Sequence, residues 1–249
     1  MEHFEDLASK LFGGMTAHEG ECPIHGKRFM YVPRTVEFTE WRCSECSMIA
    51  HSHAEDIRRR EERTEWLLHV SQVPKKYRGE RFKATTAAHK AVRGIVKAFS
   101  DTITAERSWA ALVLVGAVGT GKTLLASELA EALIKNHSIT VRYCTAKQMI
   151  AEIQSSYGVD GKSEEGEILR FVQFDLLILD EIDAKRDTDS ANLLLTEVIN
   201  RRYNEEKPVA VITNQSFNGL AEFVGTRVDD RLHENSFVCS FDWPSFRRQ

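Results

Sequence analysis

Gly116-Ala117-Val118-Gly119-Thr120-Gly121-Lys122-Thr123 satisfies the spacing G-x-x-x-x-G-K-[ST], and the chemistry of that spacing is anion capture. Glycines let the backbone turn tightly, so that consecutive N–H groups face inward, and a helix starting near Lys122 adds the positive end of its dipole. Lys122 is expected to reach the β and γ phosphates of a bound nucleotide, and Thr123 to give Mg²⁺ a hydroxyl ligand. The binding segment is taken to run from Gly116 through Leu124. A second cluster, Leu176-Leu177-Ile178-Leu179-Asp180-Glu181, is an apolar run ending in two carboxylates, as expected of a buried central strand that delivers acids at its C-terminal edge. Asp180 is the candidate for orienting Mg²⁺, and Glu181 the candidate general base for a hydrolytic water. The competing reading is a pair of solvated carboxylates that begin a helix.

Two further segments carry polar groups at comparable places. Val209 to Thr213 is apolar and is followed by Asn214, which either bonds the attacking water or γ-phosphate or caps a turn. Arg227 and Arg231 lie between Gly225 and Leu232. They would stabilise transition-state charge on a neighbouring subunit's nucleotide, or sit in a surface salt-bridge helix.

The five cysteines divide by spacing. Cys22-Pro23-Ile24-His25 and Cys43-Ser44-Glu45-Cys46 give C-x-x-H and C-x-x-C, a closed set of three thiolates and one imidazole suited to a structural zinc ion. His51 and His53 are alternative fourth ligands, and ordinary buried thiols are the other reading. Cys144 and Cys239 stand singly within apolar runs and are assigned to the core. Around the knuckles Phe29, Tyr31, Phe38 and Trp41 alternate with Lys27, Arg28 and Arg34. That pattern either fills a small domain or forms a face for single-stranded bases or a partner protein.

These groups must be held by elements that the periodicity outlines. Residues 1–53 read as a small zinc-bearing domain, residues 54–83 as a charged helix and linker broken at Val73-Pro74, and residues 84–249 as alternating strands and helices. Strands are expected at Ala111 to Val115, Thr140 to Cys144, Leu176 to Leu179, Val209 to Thr213 and Phe237 to Phe241. Ala126, Leu129, Ala130, Leu133 and Ile134 recur at helical spacing, as do Ala191, Leu194, Leu195, Val198 and Ile199. The fold class is therefore α/β, with a parallel sheet covered by helices. At 249 residues the chain has room for one large domain and an appendage, and a net charge of -4 provides no global attraction for nucleic acid or acidic membrane. The longest apolar run, Trp109 to Val115, is far short of the roughly 20 residues of a membrane span. The opening residues lack a secretory pattern, so a cytoplasmic setting is expected.

In order and spacing, the parts from about residue 70 to 245 resemble AAA+ ATPases, and among them the DnaC-type replicative helicase loaders and the similar IstB-type transposition helpers. The resemblance implies a P-loop fold with strand order 5-1-4-3-2, and Walker A, Walker B and sensor 1 roles for Gly116 to Thr123, Asp180-Glu181 and Thr213-Asn214. It also places Tyr77 and Phe82 near the adenine. Arg231 becomes the first candidate for the arginine acting in trans, with Arg227 second. No C-terminal helical lid is expected after the fifth strand. The implied function is binding a hexameric replicative helicase, through residues 1–53 and the helix after them, and loading it onto single-stranded DNA, with ATP hydrolysis driving release and self-association around nucleotide. The alternatives are an ATPase helper of a transposase and a zinc-bearing, nucleotide-switched DNA-binding adaptor. The helical stretches Ala146 to Tyr157 and Ser163 to Phe171 resemble an insertion that initiator-type ATPases turn toward single-stranded DNA.

Overall fold

The computed structural model describes residues 14–34, 36–37, 41–106, 108–184 and 189–248. The chain divides into two compact units, one up to Arg63 and one from Thr64 onward. In the first, β1 (Met15–Cys22) and β2 (Gly26–Pro33) form an antiparallel hairpin in which Cys22 faces Gly26. Trp41 lies on Gly20, where a Cβ would come within 2.3 Å of the indole, and its Nε1 donates to the His18 carbonyl at 3.1 Å. Phe29 and Tyr31, at alternate positions of β2, remain 53% and 47% exposed. The aromatic pattern thus splits: Trp41 packs, Phe29 and Tyr31 do not, and Phe38 lies outside the described residues. Helix α1 runs from Ser44 to Val70. It starts ten residues before the expected helix at Ala54, because the second cysteine knuckle supplies its first turn: Cys43 accepts the Ser47 N–H at 2.9 Å.

The second unit holds α2 (Ala87–Ala105), β3 (Ala111–Gly116), α3 (Lys122–His137), β4 (Val141–Thr145), α4 (Ala146–Gln154), α5 (Glu164–Gln173), β5 (Leu176–Asp180), α6 (Asp189–Asn204), β6 (Val209–Thr213), α7 (Ala221–Val224), α8 (Thr226–His233) and β7 (Ser236–Phe241). The strands pair in the order β4-β5-β6-β3-β7, all parallel. Counted from β3, this is 5-1-4-3-2, as the family resemblance implied, and the five strands fall where the apolar runs placed them.

The runs are continuous because both faces of the sheet are covered. Leu112, Leu114, Ile178, Ala210 and Ile212 point into a layer shared with α2 and α3, which bring Val92, Phe99, Leu129 and Leu133. Their neighbours Val113, Val115, Leu177, Leu179 and Val211 point into the opposite layer with Met149, Phe171, Leu195 and Val198. Local signals mark the helix starts: Thr86 with His89, and Thr145 with Gln148, form capping boxes for α2 and α4. Cys144 and Cys239 are buried core residues, as expected. Among the described residues no helix is long and apolar enough to cross a membrane.

Candidate functional site

The strand ends of β3, β5 and β6 bring the polar groups of the sequence together. Beyond β3 the chain turns through Gly119 and Gly121, at φ of 82° and 99°, into α3. A side chain is refused at both positions: a Cβ on Gly119 would lie 2.1 Å from Ser245 Oγ, and one on Gly121 2.9 Å from the Phe82 ring. A cavity of about 300 Å³ opens over this loop, lined by Val118 to Leu124, Asp180, Glu181, Ile212, Thr213 and Asn214 together with Tyr77, Phe246 and Arg247. A second lobe of about 440 Å³ shares Tyr77, Thr123, Asp180, Glu181 and Arg247 with it and adds Gln72 and Tyr143.

Lys122 Nζ, almost fully buried, donates to the carbonyls of Gly116 at 2.6 Å and Ala117 at 2.8 Å and to Asn214 Oδ1 at 3.1 Å. Burial lowers its pKa below the ordinary lysine value, opposed by the charges of Asp180 and Asp183. Phosphate oxygens could take over the positions of these carbonyls around the ammonium. Gly116 and Ala117 therefore act behind the cavity wall, through their carbonyls.

Thr123 Oγ1 donates to Asp180 Oδ2 at 3.0 Å. A hydroxyl and a carboxylate at the mouth of a phosphate loop form a hard, all-oxygen donor pair, which fits Mg²⁺ in a site completed by water and phosphate. Asp180 Oδ1 accepts the Glu181 N–H at 2.8 Å, and Glu181 holds a left-handed backbone with φ of 51°. That conformation costs a non-glycine residue on the order of 1–2 kcal/mol. The turn leaves the Glu181 carboxylate exposed at the cavity wall. Asp183, which no motif flagged, accepts the Asn214 N–H and the Gln215 side-chain amide, both at 3.3 Å.

Tyr77 lines the cavity, whereas Phe82 is buried against Gly121 and touches the rings of His89, Phe241, Trp243 and Phe246. Phe82 supports the loop from behind and does not line the cavity. Two α3 carboxylates anchor the linker: Glu131 accepts the Gly79 N–H and Glu128 the Phe82 N–H, each at 2.8 Å. The segment after β7 folds back across the loop, with Trp243 Nε1 donating to the Thr120 carbonyl at 3.0 Å and the Phe246 N–H to that of Gly119 at 2.9 Å. This contact carries Arg247 to the cavity. Sequence reasoning missed Arg247, Asp183 and Tyr143; a basic residue four positions after Trp243 was the available signal for the first.

Arg227 and Arg231 lie on α8 and do not line the cavity of their own chain. Arg227 is exposed, while Arg231 donates to the Arg227 carbonyl at 2.8 Å and stacks over Tyr203 at 5.1 Å. On α4 and α5, Arg170 pairs with Glu152 at 2.6 Å and with Glu167 at 2.9 Å, and Arg142 also pairs with Glu152. The arginines beside these helices are therefore neutralised locally.

In the N-terminal unit, Cys22, His25, Cys43 and Cys46 gather with their ligand atoms within 4.8 Å of one another. His25 Nδ1 lies 3.7, 3.5 and 3.4 Å from the sulfurs of Cys22, Cys43 and Cys46, and the Cys22 and Cys46 sulfurs are 3.6 Å apart. A tetrahedron with Zn–S near 2.3 Å and Zn–N near 2.0 Å has edges of about 3.8 Å between sulfurs and about 3.5 Å from sulfur to nitrogen. The four residues fit that ion. His51 and His53 lie outside the cluster on exposed turns of α1, which leaves His25 as the fourth ligand atom. Backbone N–H groups of His25 and Ile24 lower the Cys22 thiol to about 6, and the neighbouring Cys22 and Cys43 sulfurs push Cys46 up to about 11. Glu45 Oε2 stands 3.4 Å from His25 Nε2, where it orients the imidazole.

Residues 37–249 match the family described as IstB-like ATP binding protein. The chain belongs to that family. It is 32% identical over 133 residues, 53% of each chain, to the uncharacterized protein YdaV of Escherichia coli strain K12. It is 28% identical over 140 residues, 55% of this chain and 56% of the other, to the replicative helicase loader DnaC of the same strain. The chain thus spans about half the length of the curated relatives it matches. Among solved structures, the DnaC helicase loader superposes with a TM-score of 0.59 at 21% identity, covering 67% of this chain and 98% of that one. AMPPCP-bound DnaA from Aquifex aeolicus gives 0.57 at 20% identity, covering 68% and 51%. The fold of this IstB-like protein is that of the AAA+ P-loop proteins.

Proposed function

We propose that this protein is an ATPase that binds a hexameric replicative helicase and loads it onto single-stranded DNA, self-associating around nucleotide. The observation that carries the ATPase reading is the meeting of Lys122, Thr123, Asp180, Glu181 and Asn214 at one cavity over a glycine turn. In this reading the loop amides from Val118 to Leu124 and the Lys122 ammonium bind the phosphates. Thr123 and Asp180 hold Mg²⁺, which neutralises phosphate charge when bound. Glu181 accepts a proton from the attacking water, Asn214 orients that water or the γ-phosphate, and Arg247 adds positive charge from the C-terminal segment. Arg231, with Arg227 beside it, is offered to the nucleotide of an adjacent copy. Tyr77 borders the base.

The helicase-loading reading draws support from the relatives that carry that name; in it the cysteine-bearing unit and the helix after it grip the helicase. The test is co-elution of the full chain with the replicative helicase of its source cell, with ATP and with a slowly hydrolysed analogue. The expected result is a nucleotide-dependent complex that deposits helicase on single-stranded DNA. Stimulation of a transposase with no helicase bound would move the protein to the second reading, a transposition helper with the same chemistry.

A further inference from the structure

One buried polar group at the floor of the cavity takes no part in the reading above. Tyr143, 5% exposed, lies in the middle of β4, and its side chain enters the layer shared with α3. Its O–H donates to Asp180 Oδ2, the same oxygen that accepts from Thr123 Oγ1. Asp180 Oδ1 is held by the Glu181 N–H. Both oxygens of the carboxylate are thus bound by donors from three places: the strand beside it, the start of α3 and the turn that follows it.

The hydroxyl has no packing role that a phenylalanine ring would not fill, and burying it without a partner would cost about 1–3 kcal/mol. Burial and the Asp180 charge hold the phenol far above its ordinary pKa, so it stays a donor at every physiological pH. The Tyr143 N–H donates at 2.7 Å to the Ser71 carbonyl, which pins the residue at the sheet edge.

We propose that Tyr143 is a positioning residue for the metal-holding acid: its O–H, donated to Asp180 Oδ2, fixes that carboxylate in the orientation in which it and the Thr123 hydroxyl together receive Mg²⁺. The inference rests on the assignment of Asp180 and Thr123 given above. A carboxylate at a strand end rotates about two side-chain bonds, and removal of the phenol leaves Oδ2 with the Thr123 hydroxyl as its remaining partner among the described residues. Orientation is then regained only on metal binding, so a higher metal concentration is needed.

The experiment compares the full chain with its Tyr143→Phe and Asp180→Asn variants. Binding of a fluorescent ATP analogue is measured in chelator and across a Mg²⁺ titration, and Mn²⁺ uptake in the presence of nucleotide is read by electron paramagnetic resonance. Tyr143→Phe should bind nucleotide in chelator within twofold of the parent and unfold in one transition, its melting temperature lowered by no more than the several degrees that one lost hydrogen bond costs. Its half-saturating Mg²⁺ should rise about tenfold, the expected effect of losing one hydrogen bond to a charged group, and its Mn²⁺ affinity should fall in parallel. Asp180→Asn should show almost no metal-dependent gain. Superimposable Mg²⁺ titrations for Tyr143→Phe and parent overturn the proposal, as does an equal loss of binding with and without metal together with a melting temperature lowered further than that. A parent chain whose nucleotide binding ignores Mg²⁺ overturns the assignment of Asp180 and the proposal with it, an outcome distinct from an intact parent response with an unaffected variant.

Discussion

Removing zinc should dissolve the N-terminal unit while the AAA+ unit stays folded. Among the described residues up to Arg63, the buried apolar side chains are Cys22 and Cys43, and both are ligand candidates. Their burial contributes about 2 kcal/mol at most. A closed structural zinc site contributes about 10–16 kcal/mol at neutral pH, five or more times as much. Trp41 on Gly20 and the hairpin register add local order, but not a core that could substitute for the metal. The assay is metal analysis combined with hydrogen exchange read by mass spectrometry. The parent should carry one zinc per chain, and a strong chelator should raise exchange across β1, β2 and the first turns of α1 to unfolded rates. The sheet from β3 to β7 should keep its protection. Cys43→Ser should reproduce this without chelator, while His51→Ala and His53→Ala should leave zinc content unchanged. A chain whose hairpin stays protected in chelator, or whose Cys43→Ser variant keeps full zinc, would refute the reasoning.

Three other outcomes follow from the ATPase unit. Glu181→Gln should lower ATP turnover by about 10²–10⁴-fold while nucleotide still binds, because a general base is lost and the cradle is not; Lys122→Ala should lose binding itself, and equilibrium binding beside a phosphate-release assay separates the two. Burial lowers the Lys122 pKa, so the folded, nucleotide-free chain gives up this proton more readily than the unfolded chain does. The charge therefore costs stability at neutral pH, the cost fades as pH rises through the folded value, and nucleotide affinity should weaken over the same alkaline window below 10.5; affinity that stays flat up to that pH would contradict this. Arg202→Met should destabilise the AAA+ unit by about 3 kcal/mol or more in urea unfolding, because the fully buried guanidinium donates to the carbonyls of Phe171, Val172, Phe174, Asp175 and Pro208 at 2.6 to 3.4 Å.

What could be read from the chain depended on how local the chemistry is. The phosphate loop and the acid pair are contiguous, and their apolar strands announce themselves because a doubly covered parallel sheet makes every strand residue apolar. The cysteine and histidine cluster that fits zinc is legible for a similar reason, since each knuckle spans four residues. Chain periodicity alone did not separate the second knuckle from helix α1, because Cys43 to Cys46 serves both: the same turn positions thiols and begins the helix. Arg202 leaves a trace in the helical periodicity. It continues the apolar stripe of Ala191, Leu194, Leu195, Val198 and Ile199 at the next helical step, and a charge on that stripe must find partners inside the protein.

Tyr143 and the C-terminal segment that carries Arg247 lie far in sequence from the groups they meet. Tyr143 meets Asp180 across 37 positions, and Trp243 meets Thr120 across 123. Both contacts exist because β4 pairs with β5, which ends in Asp180, and β7 pairs with β3, which leads into the glycine loop. Phe82 shows the converse. The family resemblance placed it near the adenine, but the glycine at 121 admits an aromatic ring from behind, and the ring fills the space that a Cβ would have taken. A bulkier residue at 121 would therefore displace Phe82 and, through its contacts with Trp243 and Phe246, loosen the segment that carries Arg247. The loop and the C-terminal segment are one packed unit, so a substitution in either should alter nucleotide binding through the other.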